Sequence, residues 1–370
     1  MRSFVRATMV AFAAALLAAC GTRGSGDASS AKVLNLYIWS DYLAPDTLAN
    51  FEKLTGIKVN VSYYDTNETL ETKLLAGHSG FDVVVPTSSY FARQIKAGVY
   101  QRLDPAKLPN LKNLDPRLMA RVQEFDPGNA HGVIYMWGTD GIGYNPKMVE
   151  ALLPDAPVDS WRMIFDPTVA AKLSKCGISV LDTPADVVRA VLSYLGRNPN
   201  SQSPADLAAA EAVLMKVRPY IRNINSSEYI QALANGDLCV ALGYNGDVMQ
   251  ARDRAREAGN GIDVRYVVPK EGSVLWFDML AIPKDAPHPA SAYAFINYML
   301  EPKVIAEVSN YKRYANANAA AQPYVHADVK SNPAIYPTAE QIRDLAVQLA
   351  DTSAHTRALT RMWERFKTGR

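Results

Sequence analysis

The chain has 370 residues, 48% of them apolar, with 39 Lys+Arg against 37 Asp+Glu. At roughly 150 residues per domain this length holds two domains, each able to bury a core. The near-neutral charge excludes an ordinary polyanion binder, the apolar content excludes a disordered chain, and no run of ~20 apolar residues offers a transmembrane helix.

Met1–Ala19 carries Arg2 and Arg6, then the apolar stretch ATMVAFAAALLAA, and no acid. A basic start before a short apolar run reads as a secretory signal. It closes on Leu17-Ala18-Ala19-Cys20-Gly21, which resembles a bacterial lipobox with Cys20 as the lipidated residue. Residues 20–31 are Gly/Ser-rich and read as a flexible tether, so the expectation is a periplasmic body anchored to a membrane through lipid alone. Two cysteines remain, Cys176 and Cys239. In an oxidising compartment they suggest one disulfide, the alternative being two buried free thiols. Two isolated cysteines and five scattered histidines show no zinc spacing.

Lys32–Trp39 alternates polar with β-branched and aromatic residues and predicts a strand. A helix should follow, with Phe51 and Leu54 on one face and Gly56 as its stop. Ile57–Tyr64 alternates as a second strand, Asn67–Ala76 reads as a helix ending at Gly77, and Phe81–Pro86 as a short buried strand. This β-α-β-α-β rhythm predicts an α/β fold with an open, largely parallel sheet. Ile134–Tyr144 is apolar, Gly-rich and extended, the pattern of a crossing between lobes. Val158–Gly261 carries its own α/β pattern, and Arg265–Val268 and Val274–Ile282 read as strands leading back. From Pro289 the chain reads as mostly helical, with an irregular piece at Tyr311–Asn318. A basic amphipathic C-terminal helix should bury Leu359, Met362 and Trp363. The expected division is 32–137 plus about 270–318 for one lobe and 138–269 plus about 319–370 for the other, with a hinged cleft between them.

Ligands of open α/β sheets sit beyond the carboxyl ends of strands. There the sequence places Trp39-Ser40-Asp41-Tyr42, Thr87-Ser88-Ser89-Tyr90, Asp182 to Asp186, Tyr244 to Asp247, and Trp276-Phe277-Asp278; the irregular piece adds Tyr311 and Tyr314. Rings recur with carboxylates, and no lysine or arginine lies inside the first five of these segments. That pairing suits a cation with an apolar body: rings attract cations over their faces and cover methylenes, while carboxylates bond ammonium groups. Plainer roles compete. Thr183 to Asp186 fits a helix capping box, Asp247 and Asp41 could be caps, Trp39 and Tyr244 core rings, and Thr87 and Ser89 turn hydroxyls. Asp278 stands apart. In the apolar strand VLWFDMLAIP it has no local capping role, and burying it unpaired is costly. Hydrolase, redox, zincin and phosphate-loop motifs do not occur, so no catalytic residue and no cofactor are assigned.

These residues also carry a resemblance. The strings WSDY with APDTLANFEKLTGIKV, GFDVVVPTSSY, YMWGTDGIGYN, APVDSW, SSEYIQALANGDLCVALG, VPKEG, WFD and YANAN resemble the periplasmic polyamine-binding proteins of ABC importers, nearest the putrescine-binding branch. The resemblance implies a two-lobed, hinged binding protein of the second type, acting as a monomer and delivering its ligand to a membrane permease without chemistry. It implies that Asp247 and Asp278 hold one ammonium end. Trp39, Tyr244, Trp276 and Tyr314 would line the methylenes. Ser40, Asp41 and Thr87 would meet the other end, and Asp186 would contribute from the facing lobe directly or through water; Tyr42 and Ser89 are further candidate ligand contacts. It also implies a Cys176–Cys239 disulfide. Tyr244, Asp186 and Trp276 stand where the putrescine branch usually has Trp, Glu and Phe, which leaves putrescine, spermidine and cadaverine-like diamines open. A polyamine sensor uncoupled from uptake, and a secreted glycosidase or lyase using two of the aspartates, are the competing readings.

Overall fold

The computed structural model describes residues 32–369, except the side chain of Asp344. The signal segment, Cys20 and the tether lie outside the described residues. The strands are β1 (Val33–Trp39), β2 (Lys58–Tyr64), β3 (Val83–Val84), β4 (Gly132–Tyr144), β5 (Ile178–Val180), β6 (Asn223–Ile224), β7 (Val240–Tyr244), β8 (Arg265–Val267), β9 (Val274–Ala281), β10 (Ala315–Asn316) and β11 (Ala346–Val347). They join as one sheet in the order β2-β1-β3-β9-β4-β7-β5-β6, with β8 and β10 added on β4 and β11 on β9. The fold is mixed α/β and two-lobed.

The parallel pairing expected from the β-α-β rhythm holds on the flanks, where β1 pairs β2 and β3, and β5 pairs β6 and β7. The middle is antiparallel, because β4 and β9 run as crossings rather than as members of a β-α-β unit. β4 is buried along its length, as its apolar and glycine-rich composition requires. From Gly132 to Thr139 it pairs with β9; from Asp140 to Tyr144 it pairs with β7. A single strand thus belongs to both halves of the sheet, and the changeover falls between Thr139 and Asp140. The two-residue strands β10 and β11 were not legible as strands, being too short to show an alternation.

The helix Thr47–Thr55 ends where Gly56 takes a left-handed φ of 69°, a conformation open to glycine at no steric cost. It buries Phe51 but leaves Leu54 72% exposed, so the two do not share an inward face. Asn67–Leu75 follows β2 as expected. The C-terminal helix Ser353–Thr368 buries Leu359, Met362, Trp363 and also Phe366. Cys176 and Cys239 are bonded as a disulfide, tying the turn before β5 to the start of β7.

Candidate functional site

A cavity of about 400 Å³ lies against the carboxyl ends of β1, β3, β5 and β7. Its wall includes all twelve candidate residues: Trp39, Ser40, Asp41, Tyr42, Thr87, Ser89, Asp186, Tyr244, Asp247, Trp276, Asp278 and Tyr314. Tyr311 is absent from it. That residue sits on the helix Pro302–Lys312 and is exposed, so only Tyr314 of the irregular piece reaches the site.

Two carboxylates are held by hydroxyls alone or nearly so. Asp278, in mid β9 and 6% exposed, accepts from Tyr42 at 2.8 Å and from Thr87 at 2.7 Å. Thr87 therefore stands at the Asp278 end rather than opposite it. Although it precedes the helix Ser88–Lys96, its hydroxyl makes no capping bond. Asp247 accepts from Tyr314 at 2.6 Å, Tyr229 at 2.9 Å and Gln250 at 3.4 Å. It lies in the first turn of the helix Asn245–Ala258 but is not its cap, which is Tyr244. Burial pushes Asp278 up to about 7, opposed by the bonds from Thr87 and Tyr42. Burial likewise pushes Asp247 up to about 6, opposed by Tyr314 and Tyr229. A buried acid held by neutral donors resists ionisation until a cation arrives.

The other two candidate acids, Asp41 and Asp186, correct the expectation that these carboxylates lack protein cations. Asp41, in the left-handed region at φ 54°, is bound by the buried Lys312 and lies 3.6 Å from Arg254. It caps no helix. Asp186 lies 3.8 Å from Arg189 and is bonded by Tyr244 at 3.0 Å and by Gln348. Burial raises the Asp186 carboxyl, and the Arg189 charge opposes the shift. The capping box is not formed: Thr183 caps the helix Pro184–Tyr194 by position, without a side-chain bond, because Asp186 turns into the cleft. Arg254 was missed because it sits well inside a helix, with no strand-end signal; Lys312 lies within the irregular piece, but its reach to Asp41 was not legible in the sequence.

Rings form a row along the cavity. Tyr244 meets Trp276 edge-on at 5.9 Å, Trp276 meets Tyr314 at 5.5 Å, and Tyr314 meets Tyr42 at 5.6 Å. Edge-to-face contacts of this kind hold each ring's orientation. Gly246 permits the close approach of Tyr314, since a Cβ there would lie 2.5 Å from the ring. Trp39 is anchored by its indole nitrogen to the Val85 carbonyl at 2.8 Å and packs on Tyr64. Ser40 is exposed at the mouth.

Gln348 is a wall residue that the sequence did not disclose. It follows the two-residue β11, accepts from the Ser89 hydroxyl at 3.2 Å and donates to Asp186. Ser89 is thereby a partner of Gln348 rather than a turn hydroxyl. Seen chemically, the cleft offers acceptors and π faces to an elongated cation.

The family model of bacterial extracellular solute-binding proteins matches residues 46–338. The chain is 51% identical over 358 residues to the putrescine-binding periplasmic protein SpuD of Pseudomonas aeruginosa, across 96% of this chain and 97% of that one. It is 50% identical to the putrescine-binding periplasmic protein PotF of Escherichia coli, across 93% of each. Among solved structures it resembles the spermidine/putrescine substrate-binding protein PotD of Streptococcus pneumoniae, with a TM-score of 0.76 and 29% identity over 91% of this chain and 99% of that one. A two-lobed fold, a cleft at the strand ends and a family match over most of its length together show that this chain belongs to the bacterial extracellular solute-binding proteins.

Proposed function

We propose that the solute is an aliphatic polyamine, putrescine or spermidine, taken up by closure of the lobes and passed to an ABC permease. The observation that carries this reading is the pair Asp247 and Asp278. Asp278 is buried and Asp247 half-buried, and both are bonded by neutral hydroxyl or amide donors with no lysine or arginine within ion-pairing distance among the described residues. An ammonium group replaces what these acids lose on burial, and the row from Tyr244 to Tyr42 covers the methylenes. The names of the relatives support the same class of ligand. Asp247, Asp278, Trp276, Tyr314 and Tyr244 are the proposed ligand contacts, with Trp39, Ser40 and Asp186 toward the far end. Asp41, paired with Lys312 and close to Arg254, stands near Asp247 and is not a free acid. The lobes are proposed to divide at the Thr139–Asp140 changeover of β4. Cys20 is the proposed lipid anchor of a monomeric, periplasm-facing receptor.

A thermal-shift panel of amines, sugars and amino acids tests the ligand class. A cognate amine at 100 times its dissociation constant should stabilise the protein by about 2.7 kcal/mol. Stabilisation by a sugar or neutral amino acid, with none by putrescine or spermidine, would refute the polyamine reading.

A further inference from the structure

Behind the Asp186 wall lies a polar cluster that does not reach the cavity. Asp140 is 1% exposed and sits where β4 leaves β9 for β7. Neither of its carboxylate oxygens has a hydrogen-bond partner among the described residues. Arg189, 3% exposed, comes from the helix Pro184–Tyr194. Its Nη2 donates to the Leu349 carbonyl at 2.9 Å and to Asp351 at 3.0 Å, which fixes the guanidinium in place. Its Nη1 lies 3.8 Å from Asp186, and Nη1 and Nε make no hydrogen bond among the described residues. Asp186 alone of Asp140, Arg189 and Asp186 forms part of the cavity wall.

A guanidinium does not give up its proton in a protein, so Arg189 is a permanent positive charge under this end of the cleft. At such a depth, charges a few ångströms apart interact far more strongly than in water. Burial and the nearby Asp186 keep Asp140 toward its neutral form, against the pull of Arg189. The guanidinium charge is thus left to Asp186 and Asp351. Asp247 and Asp278 are bonded by no such cation.

We infer that Arg189 is a specificity-determining residue: it compensates Asp186 from behind, so Asp186 accepts hydrogen bonds from a diamine's far ammonium but offers little charge to a third ammonium. The inference rests on the polyamine reading and adds to it a bias toward diamines over triamines. Arg189 touches no ligand; it acts through Asp186.

The test is calorimetric titration of putrescine and spermidine into the wild type, Arg189→Met and Arg189→Lys. The double variant Arg189→Met/Asp351→Asn is included to remove the buried acid that loses its ion pair in the single change. Removing the charge should move the affinity ratio toward spermidine by roughly tenfold, the order a single close charge is worth. Arg189→Lys, which keeps the charge, should stay near the wild-type ratio. A folded Arg189→Met or double variant with an unchanged ratio overturns the inference, as does Arg189→Lys behaving like Arg189→Met. If the wild type binds neither amine, the polyamine reading itself fails, a separate result.

Discussion

Asp278 is the residue on which the site's energetics turn. Its carboxylate is buried in an apolar strand and receives two hydroxyl bonds, which soften its desolvation without neutralising it. Asp278→Ala is therefore expected to cost about 2–5 kcal/mol of amine binding, because a ligand ammonium loses its charged partner in a desolvated cleft. Trp276→Ala should cost less against putrescine, since it removes ring contact and no charge; calorimetry on the two variants gives the order. The pH dependence has a definite sign. With Asp278 raised to about 7 and Asp247 to about 6, the folded protein holds protons that the unfolded chain releases near pH 4. Stability contributed by these groups falls as pH rises from about 4 to about 7 and is then level. Amine binding runs the other way, because it needs both acids ionised. Affinity should weaken as pH drops through about 7 and then about 6, and binding near neutrality should release protons. Titrations in two buffers of different ionisation heat would show that release; its absence would mean the acids are already ionised in the free protein.

Among the elements, β4 and the helices after β1, β3, β5 and β7 decide what faces the cleft. Each local capping or turn role that the sequence allowed these groups gave way to tertiary partners. Thr87 turns to Asp278, Asp186 to Tyr244 and Gln348, Asp41 to Lys312, and Asp247 to Tyr314 and Tyr229. In each case the long-range bond satisfies a buried or cleft-facing group, whereas the local cap would have left that group without one. The disulfide is a second organising link. Cys176 and Cys239 are 63 residues apart, and chain-entropy reasoning assigns such a loop roughly 4 kcal/mol of stabilisation. The Cys176→Ser/Cys239→Ser variant should lose stability of that order in urea unfolding, while its binding at low denaturant changes little because neither cysteine lines the cavity.

At the scale of the molecule, the two halves of the sheet share β4 and meet again at the cleft through Gln348. That side chain links Ser89, on the helix after β3, to Asp186, on the helix after β5. Gln348→Leu would leave the Ser89 hydroxyl and one Asp186 oxygen without this partner. An unmet buried polar group costs about 1–3 kcal/mol, so amine affinity should fall by that amount if closure brings these groups together. An unchanged dissociation constant would show that the link contributes nothing to the bound form.

The pattern of rings and acids at strand ends by itself determined much of this protein. Alternation marks β1 and β2, glycine stops mark the ends of the first helices, and Asp278 in an apolar strand signals its own cost. Those features are local, and local rules read them. The counter-charges were another matter. Lys312 reaches Asp41 across 271 residues, and Gln348 reaches Asp186 across 162. Arg189 lies only three positions from Asp186, yet sequence alone could not say that Asp186 would leave its cap and face the cleft with Arg189 behind it. Which acids stay uncompensated depends on distances across the fold, because electrostatic pairing is set by separation and burial rather than by order along the chain.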